Sequence, residues 1–118
     1  MDKKVFIEQM KNCEPMDKES IMKIIIDSVN SNIGDGNPRG HRNLIIVMEE
    51  LAELAKEVSK ELRGKGDIAN LTEELADVQL CIYYVQEIVG IDDKTIEKAM
   101  SIKANRLGSI LYDTGSYK

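Results

Sequence analysis

The sequence predicts an all-α fold, a four-helix-type bundle with a short extra helix at its N-terminus. Three observations carry this. Strand-type alternation of β-branched and aromatic residues is absent, proline falls only at positions 15 and 38, and apolar residues recur at spacings of three and four. At 118 residues with 42% hydrophobic content, the chain is expected to form a single domain, 1–118, around one modest core.

The first helix is expected over 3–11 and ends before Pro15, because a proline pushes the residue before it out of the α region. A second helix over 17–32 aligns Ile21, Ile24, Ile25, Ser28 and Val29 along one side. It stops at the loop Gly34-Asp35-Gly36-Asn37-Pro38-Arg39-Gly40. The third spans 42–62, with a stripe of Leu44, Met48, Leu51, Ala55, Val58 and Leu62, and is broken by Gly64-Lys65-Gly66. The fourth runs over 71–89 up to Gly90, with a main stripe of Leu71, Leu75, Val78, Ile82, Val85 and Val89. Asp92-Asp93 caps a last helix that carries Ile96, Met100, Ile102, Leu107 and Ile110 and frays at Gly115. The apolar stripes are where such helices meet.

Composition removes several functions. Sixteen Lys+Arg against twenty-one Asp+Glu give a net charge of -5, so no sequence-wide basic field holds nucleic acid. With no Trp, one Phe and four Tyr, no aromatic platform exists for stacking single strands. No apolar run approaches a membrane span and no signal peptide is visible, so no membrane partner is expected. Cys13 and Cys81 are too few and too far apart for a disulfide scaffold or a thiolate zinc site, which makes the cytoplasm the expected compartment.

Chemistry concentrates in two acidic clusters on successive helices, Glu49-Glu50-Leu51-Ala52-Glu53 and Glu73-Glu74-Leu75-Ala76-Asp77. Positions i and i+3 lie roughly 60° apart around a helix, so Glu50 and Glu53 point together, as do Glu74 and Asp77. Two antiparallel helices would aim four carboxylates at one spot, a donor set of oxygens suited to Mg²⁺ or Mn²⁺. The bland reading is that these are solvated surface charges. Helical phase argues against it on the fourth helix, where Asp77 heads a column of Cys81, Tyr84 and Ile88 that another helix should cover. Covered carboxylates without a cation or donors are costly. On the third helix Glu50 lies at the margin of the stripe and Glu53 nearly opposite. Covering that side requires a further element, and a second subunit is the natural one, so a homodimer or homotetramer is expected.

The order Glu-Glu-x-x-Glu and then Glu-x-x-Asp resembles the signature of the MazG-like all-α nucleoside triphosphate pyrophosphohydrolases. The likeness continues through Met48 to Leu54, Leu62-Arg63-Gly64-Lys65, Glu73 to Val78, and Lys103-x-x-Arg106-Leu107, and resembles the small single-domain, phage- or prophage-associated branch. It covers about 43–107; residues 1–40 carry no resemblance. The resemblance implies Mg²⁺-dependent hydrolysis of nucleoside triphosphates, dNTPs foremost, between the α and β phosphates, in a house-cleaning role. It assigns Glu50, Glu53, Glu74 and Asp77 to the metal and Glu49 to a water-orienting or outer role, although Glu49 points about 100° from Glu50. Lys103 and Arg106 become phosphate donors; otherwise they are solvated cations of a basic last helix.

Arg63 and Lys65 close over the phosphates or simply furnish cations at a helix C-terminus. Tyr84 lines a nucleoside pocket or packs in the core. Cys81 reads as core, and the lone His41 as a surface or capping residue. The absence of a second histidine disfavours a ferritin-like di-iron bundle. Rival readings are a base-specific dUTPase- or dCTPase-like enzyme, a phosphoribosyl-ATP pyrophosphatase, and a non-enzymatic helical interaction module.

Overall fold

The computed structural model describes residues 2–31 and 41–113, with the backbone alone at 41–42. Every element in it is helical: α1 (Lys3–Asn12), α2 (Lys18–Ser31), α3 (His41–Leu62), α4 (Ile68–Val89) and α5 (Asp93–Asp113). The expected loop at 34–40, the fray at Gly115 and the His41 side chain lie outside the described residues. The chain divides into two units, Met1–Ile88 and Val89–Lys118.

Side chains close the helix ends. Asp2 accepts from the amides of Lys4 and Val5 at 2.8 and 3.3 Å, Asp17 from Ser20 at 2.7 Å, Asp67 from Asn70 at 3.1 Å and Asp92 from Thr95 at 2.8 Å. Each carboxylate satisfies amides that the first turn leaves without an intrahelical partner. Hydrogen bonds from the Ser20 amide and from its side chain hold Asp17 below the usual carboxylate range. α4 therefore starts one turn earlier than 71, because Asp67 acts as its cap. At the end of α3, Gly64 adopts φ 73°, the Lys65 amide donates to Lys60 O at 2.9 Å and the Gly64 amide to Glu61 O at 3.0 Å. This paired closure needs a left-handed residue, which glycine supplies without a Cβ clash. Gly90, at φ 77°, has the same handedness after α4.

In the first unit, Ile25, Val29, Val47 and Cys81 form the buried apolar centre, with Val29 fully covered. Burying a valine contributes about 1.5–3 kcal/mol. α2 meets the C-terminal half of α4: the Tyr84 hydroxyl donates to Ser28 Oγ at 3.1 Å and the Lys18 ammonium lies 5.5 Å from the Tyr83 ring centre. α1 is tied to the start of α4 by the Lys3–Asp67 ion pair, and Phe6 and Met10 line a shallow apolar hollow with Ile68 and Thr72. No residue of α1 is buried.

The faces that meet differ from the expected stripes. On α2, Ile24 is 55% exposed while Ile25 and Val29 are buried. On α3 the buried side chains are Asn43, Val47 and Glu57, whereas Leu44, Met48, Leu51, Val58 and Leu62 are exposed. On α4 the most covered side chains are Cys81 and Gln86, while Leu75, Ile82 and Val89 are exposed. The reason is phase: the covered α3 series Asn43, Val47, Glu50, Leu54 and Glu57 has the same 4-3-4-3 spacing as the apolar stripe, rotated by about 100°. α5, described by itself, has no buried residue, and Met100, Ile102, Leu107 and Ile110 are exposed on it.

Candidate metal centre on α3 and α4

Glu50 belongs to the covered series of α3, and Glu74 and Asp77 sit one turn apart on α4. All three are half-buried. Each offers a carboxylate oxygen such that the three atoms lie within 4.8 Å of one another. Glu53 is exposed and outside this set, though close enough for its charge to act on Glu50 and Glu74. Glu49 is exposed, on the neighbouring helix face. Three of the four expected ligands are thus brought together, and the fourth stands at the rim.

The electrostatics are those of carboxylates crowded with too little water. Glu74 is pushed up to about 7, first by burial and then by the charges of Glu50, Asp77, Glu53 and Glu73. Glu50 is also raised, by burial, by the charge of Asp77 and by a hydrogen bond with it, while a hydrogen bond with Glu74 pulls the other way. Burial and the charges of Glu50 and Asp77 raise the Cys81 thiol, so the buried cysteine borders the cluster. Among the described residues, Glu74 Oε2 is buried with no hydrogen-bond partner. An orphaned acceptor of that kind is costly unless something electropositive occupies the space it faces.

The donor set fits a hard divalent cation: three carboxylates, a buried oxygen without a partner, and a negative field strong enough to hold a proton near neutrality in its place. Glu50, Glu74 and Asp77 would hold it. The bordering thiol of Cys81 is soft and, with its raised pKa, remains protonated, so the oxygens define the site.

Of the remaining expected residues in the first unit, Arg63 and Tyr84 are engaged elsewhere. Arg63 donates from Nε to Ser59 O at 3.3 Å, which ties it to the end of its own helix. Lys65 is exposed in the following turn. Tyr84 is half-buried and bonded to Ser28. Lys103 and Arg106 are exposed on α5, in the second unit.

On α3, two buried polar residues are not marked by the apolar stripe of the sequence. Asn43 and Glu57 are buried; Glu57 Oε1 accepts from Lys60 at 3.2 Å, while Glu57 Oε2 and Asn43 Nδ2 have no partner among the described residues. Their signal is the second 4-3-4-3 series on α3, which passes through Glu50 but is hidden because a more apolar series runs beside it. Comparison with family models finds no match, and neither does comparison with curated proteins or with solved structures.

Proposed function

We propose that this protein is a Mg²⁺-dependent nucleoside triphosphate pyrophosphohydrolase that releases pyrophosphate and a nucleoside monophosphate, with dNTPs as the foremost substrates and Mn²⁺ as an alternative ion. The observation that carries the reading is the convergence of Glu50, Glu74 and Asp77 from two acidic motifs in the MazG-like order, with a buried Glu74 oxygen left without a partner.

In this reading Glu50, Glu74 and Asp77 hold the cation. When bound, Mg²⁺ neutralises the triphosphate and lowers the pKa of a coordinated water. The overall hydrolysis would join a water oxygen to the α-phosphorus, break the bond from that phosphorus to the α–β bridging oxygen, and release pyrophosphate, with the protons of the water passing to products and solvent. Glu53, exposed at the rim, keeps the metal-ligand role and Glu49 the outer role that the resemblance gives them. Cys81, next in the Asp77 column, borders the site along α4. The assignments of Lys103, Arg106, Arg63 and Lys65 to the phosphates rest on the resemblance alone.

The test is pyrophosphate release from the eight common NTPs and dNTPs with Mg²⁺, comparing wild type with Glu50→Gln and Asp77→Asn. Each replacement keeps shape and removes a charge. Metal-dependent release that both variants lose while remaining folded supports the reading, and the ranking of substrates separates a broad enzyme from a base-specific one. No release from any substrate, or equal release by the variants, rejects it in favour of a helical interaction module.

A further inference from the structure

We infer that the divalent cation acts as a clasp that closes α3 onto α4, and that α3 is the helix that opens when the cation leaves. The clasp deepens the reading proposed above and rests on its metal centre; the weak hold on α3 stands on packing alone.

α3 turns a largely polar side to the rest of the first unit. Its covered series is Asn43, Val47, Glu50, Leu54 and Glu57, in which only Val47 and Leu54 are apolar. On α4 the covered series through Glu74 and Asp77 adds Asn70, Cys81 and Tyr84. Asn43 and Glu57 stand two turns to either side of Glu50 and share its face. Among the described residues, the buried side-chain atoms without a partner are Asn43 Nδ2, Glu57 Oε2 and Glu74 Oε2. All of them lie in these two series. A polar atom withdrawn from water without a partner keeps its desolvation cost, so each one works against closure.

α2 is held differently. It buries Ile25 and Val29, at 3% and 0% exposure, and its Ser28 accepts from the Tyr84 hydroxyl on the C-terminal half of α4. The longer α3 fully buries one apolar side chain, Val47, while Leu44, Met48, Leu51, Val58 and Leu62 stand in water. Burial of an apolar face is what keeps a helix docked, and the parts of a domain with least of it open first. The acidic cluster spans two helices, since Glu50 comes from α3 and Glu74 and Asp77 from α4. A cation among them is held only while α3 is closed, so by linkage its binding free energy is added to closure. It would also give Glu74 Oε2 the partner it lacks.

Hydrogen exchange read by mass spectrometry tests this on the full chain, without catalysis. In the metal-free protein the amides of α3 should exchange on the order of tenfold faster than those of α2 and of the C-terminal half of α4. Mg²⁺ at about ten times its Kd should slow α3 about tenfold and leave α2 unchanged, and Glu74→Gln should abolish that slowing. Glu57→Met removes an unpartnered oxygen outside the metal cluster and should slow α3 without metal. If that variant does not fold, the wild-type readings decide. Exchange of α3 as slow as that of α2 in the metal-free protein overturns the inference, as does Mg²⁺ protection spread equally over α2 and α3. Where α3 exchanges fast and Mg²⁺ leaves it so, Mn²⁺ calorimetry separates two failures. Bound Mn²⁺ overturns the clasp alone, whereas no bound Mn²⁺ overturns the metal centre with it.

Discussion

The two acidic motifs differ by one residue, Glu-Glu-Leu-Ala-Glu on α3 against Glu-Glu-Leu-Ala-Asp on α4, yet they occupy different surroundings. On α4, Glu73, Glu74 and Asp77 are all half-buried; on α3 only Glu50 is, while Glu49 and Glu53 stand in water. Spacing is shared, so the difference comes from which helix side is covered. α4 turns its acids toward the Asp77-Cys81-Tyr84 column that packs, whereas on α3 the covered series passes through Glu50 and misses Glu53 by most of a quarter turn. A carboxylate's work in this cluster is set by cover, and cover raises both its pKa and its cost when unpartnered.

The comparison breaks most visibly at α4. Asp77→Asn should lower Mg²⁺-dependent pyrophosphate release by more than about 100-fold, since even outer partners of metal ligands are worth 10–100-fold. Glu53→Gln, at the exposed rim, should cost about tenfold or less in the same assay. Equal losses from the two variants would show that the α3 motif contributes as much to holding the cation as the α4 motif does, against the difference in cover.

The pH dependence sharpens the same contrast. In the metal-free protein Glu74 keeps its proton up to about 7, while the unfolded chain releases it near 4.5. The folded state therefore binds more protons in that window, so the stability contributed by Glu74 is fully present below 4.5 and is lost as pH rises toward 7. Thermal melts across that range should show the decline, Glu74→Gln should remove it, and millimolar Mg²⁺ should flatten it. A metal-free profile identical in wild type and Glu74→Gln would contradict the crowding described.

The smallest effect is expected at the start of α4. Asp67 is held below its usual range by the Lys3 ammonium and by the Asn70 amide. Asp67→Ala should lower Tm by a few degrees while leaving Mg²⁺ binding unchanged, because the first turn frays before the turn that holds Glu74. Loss of Mg²⁺ binding would instead show that α1 and the α4 cap position the cluster.

Helix identity and most helix ends are legible in the sequence because they depend on local chemistry. Gly64, Gly90, Pro15 and Asp92 stop or cap helices through their own backbone and side-chain preferences. α4 starts a turn before 71, at Ile68, which extends the apolar series three residues back and directly follows the capping Asp67. The choice of facing side is illegible for a different reason. Hydrophobicity selects the stripe that must be covered, but not which neighbour covers it, and on α3 the in-chain neighbour takes the series with Asn43, Glu50 and Glu57. The acids are legible as a pair of motifs, and the exclusion of Glu53 from the tight cluster requires the packing.

Calorimetric titration of metal-free protein with Mn²⁺, wild type against Glu74→Gln, tests the central claim most directly. Saturable binding in the wild type, accompanied by proton release near neutral pH and weakened by more than about tenfold in the variant, is the expected result. Binding that is absent in the wild type, or unchanged by removal of the Glu74 charge, would contradict a divalent-cation site at Glu50, Glu74 and Asp77.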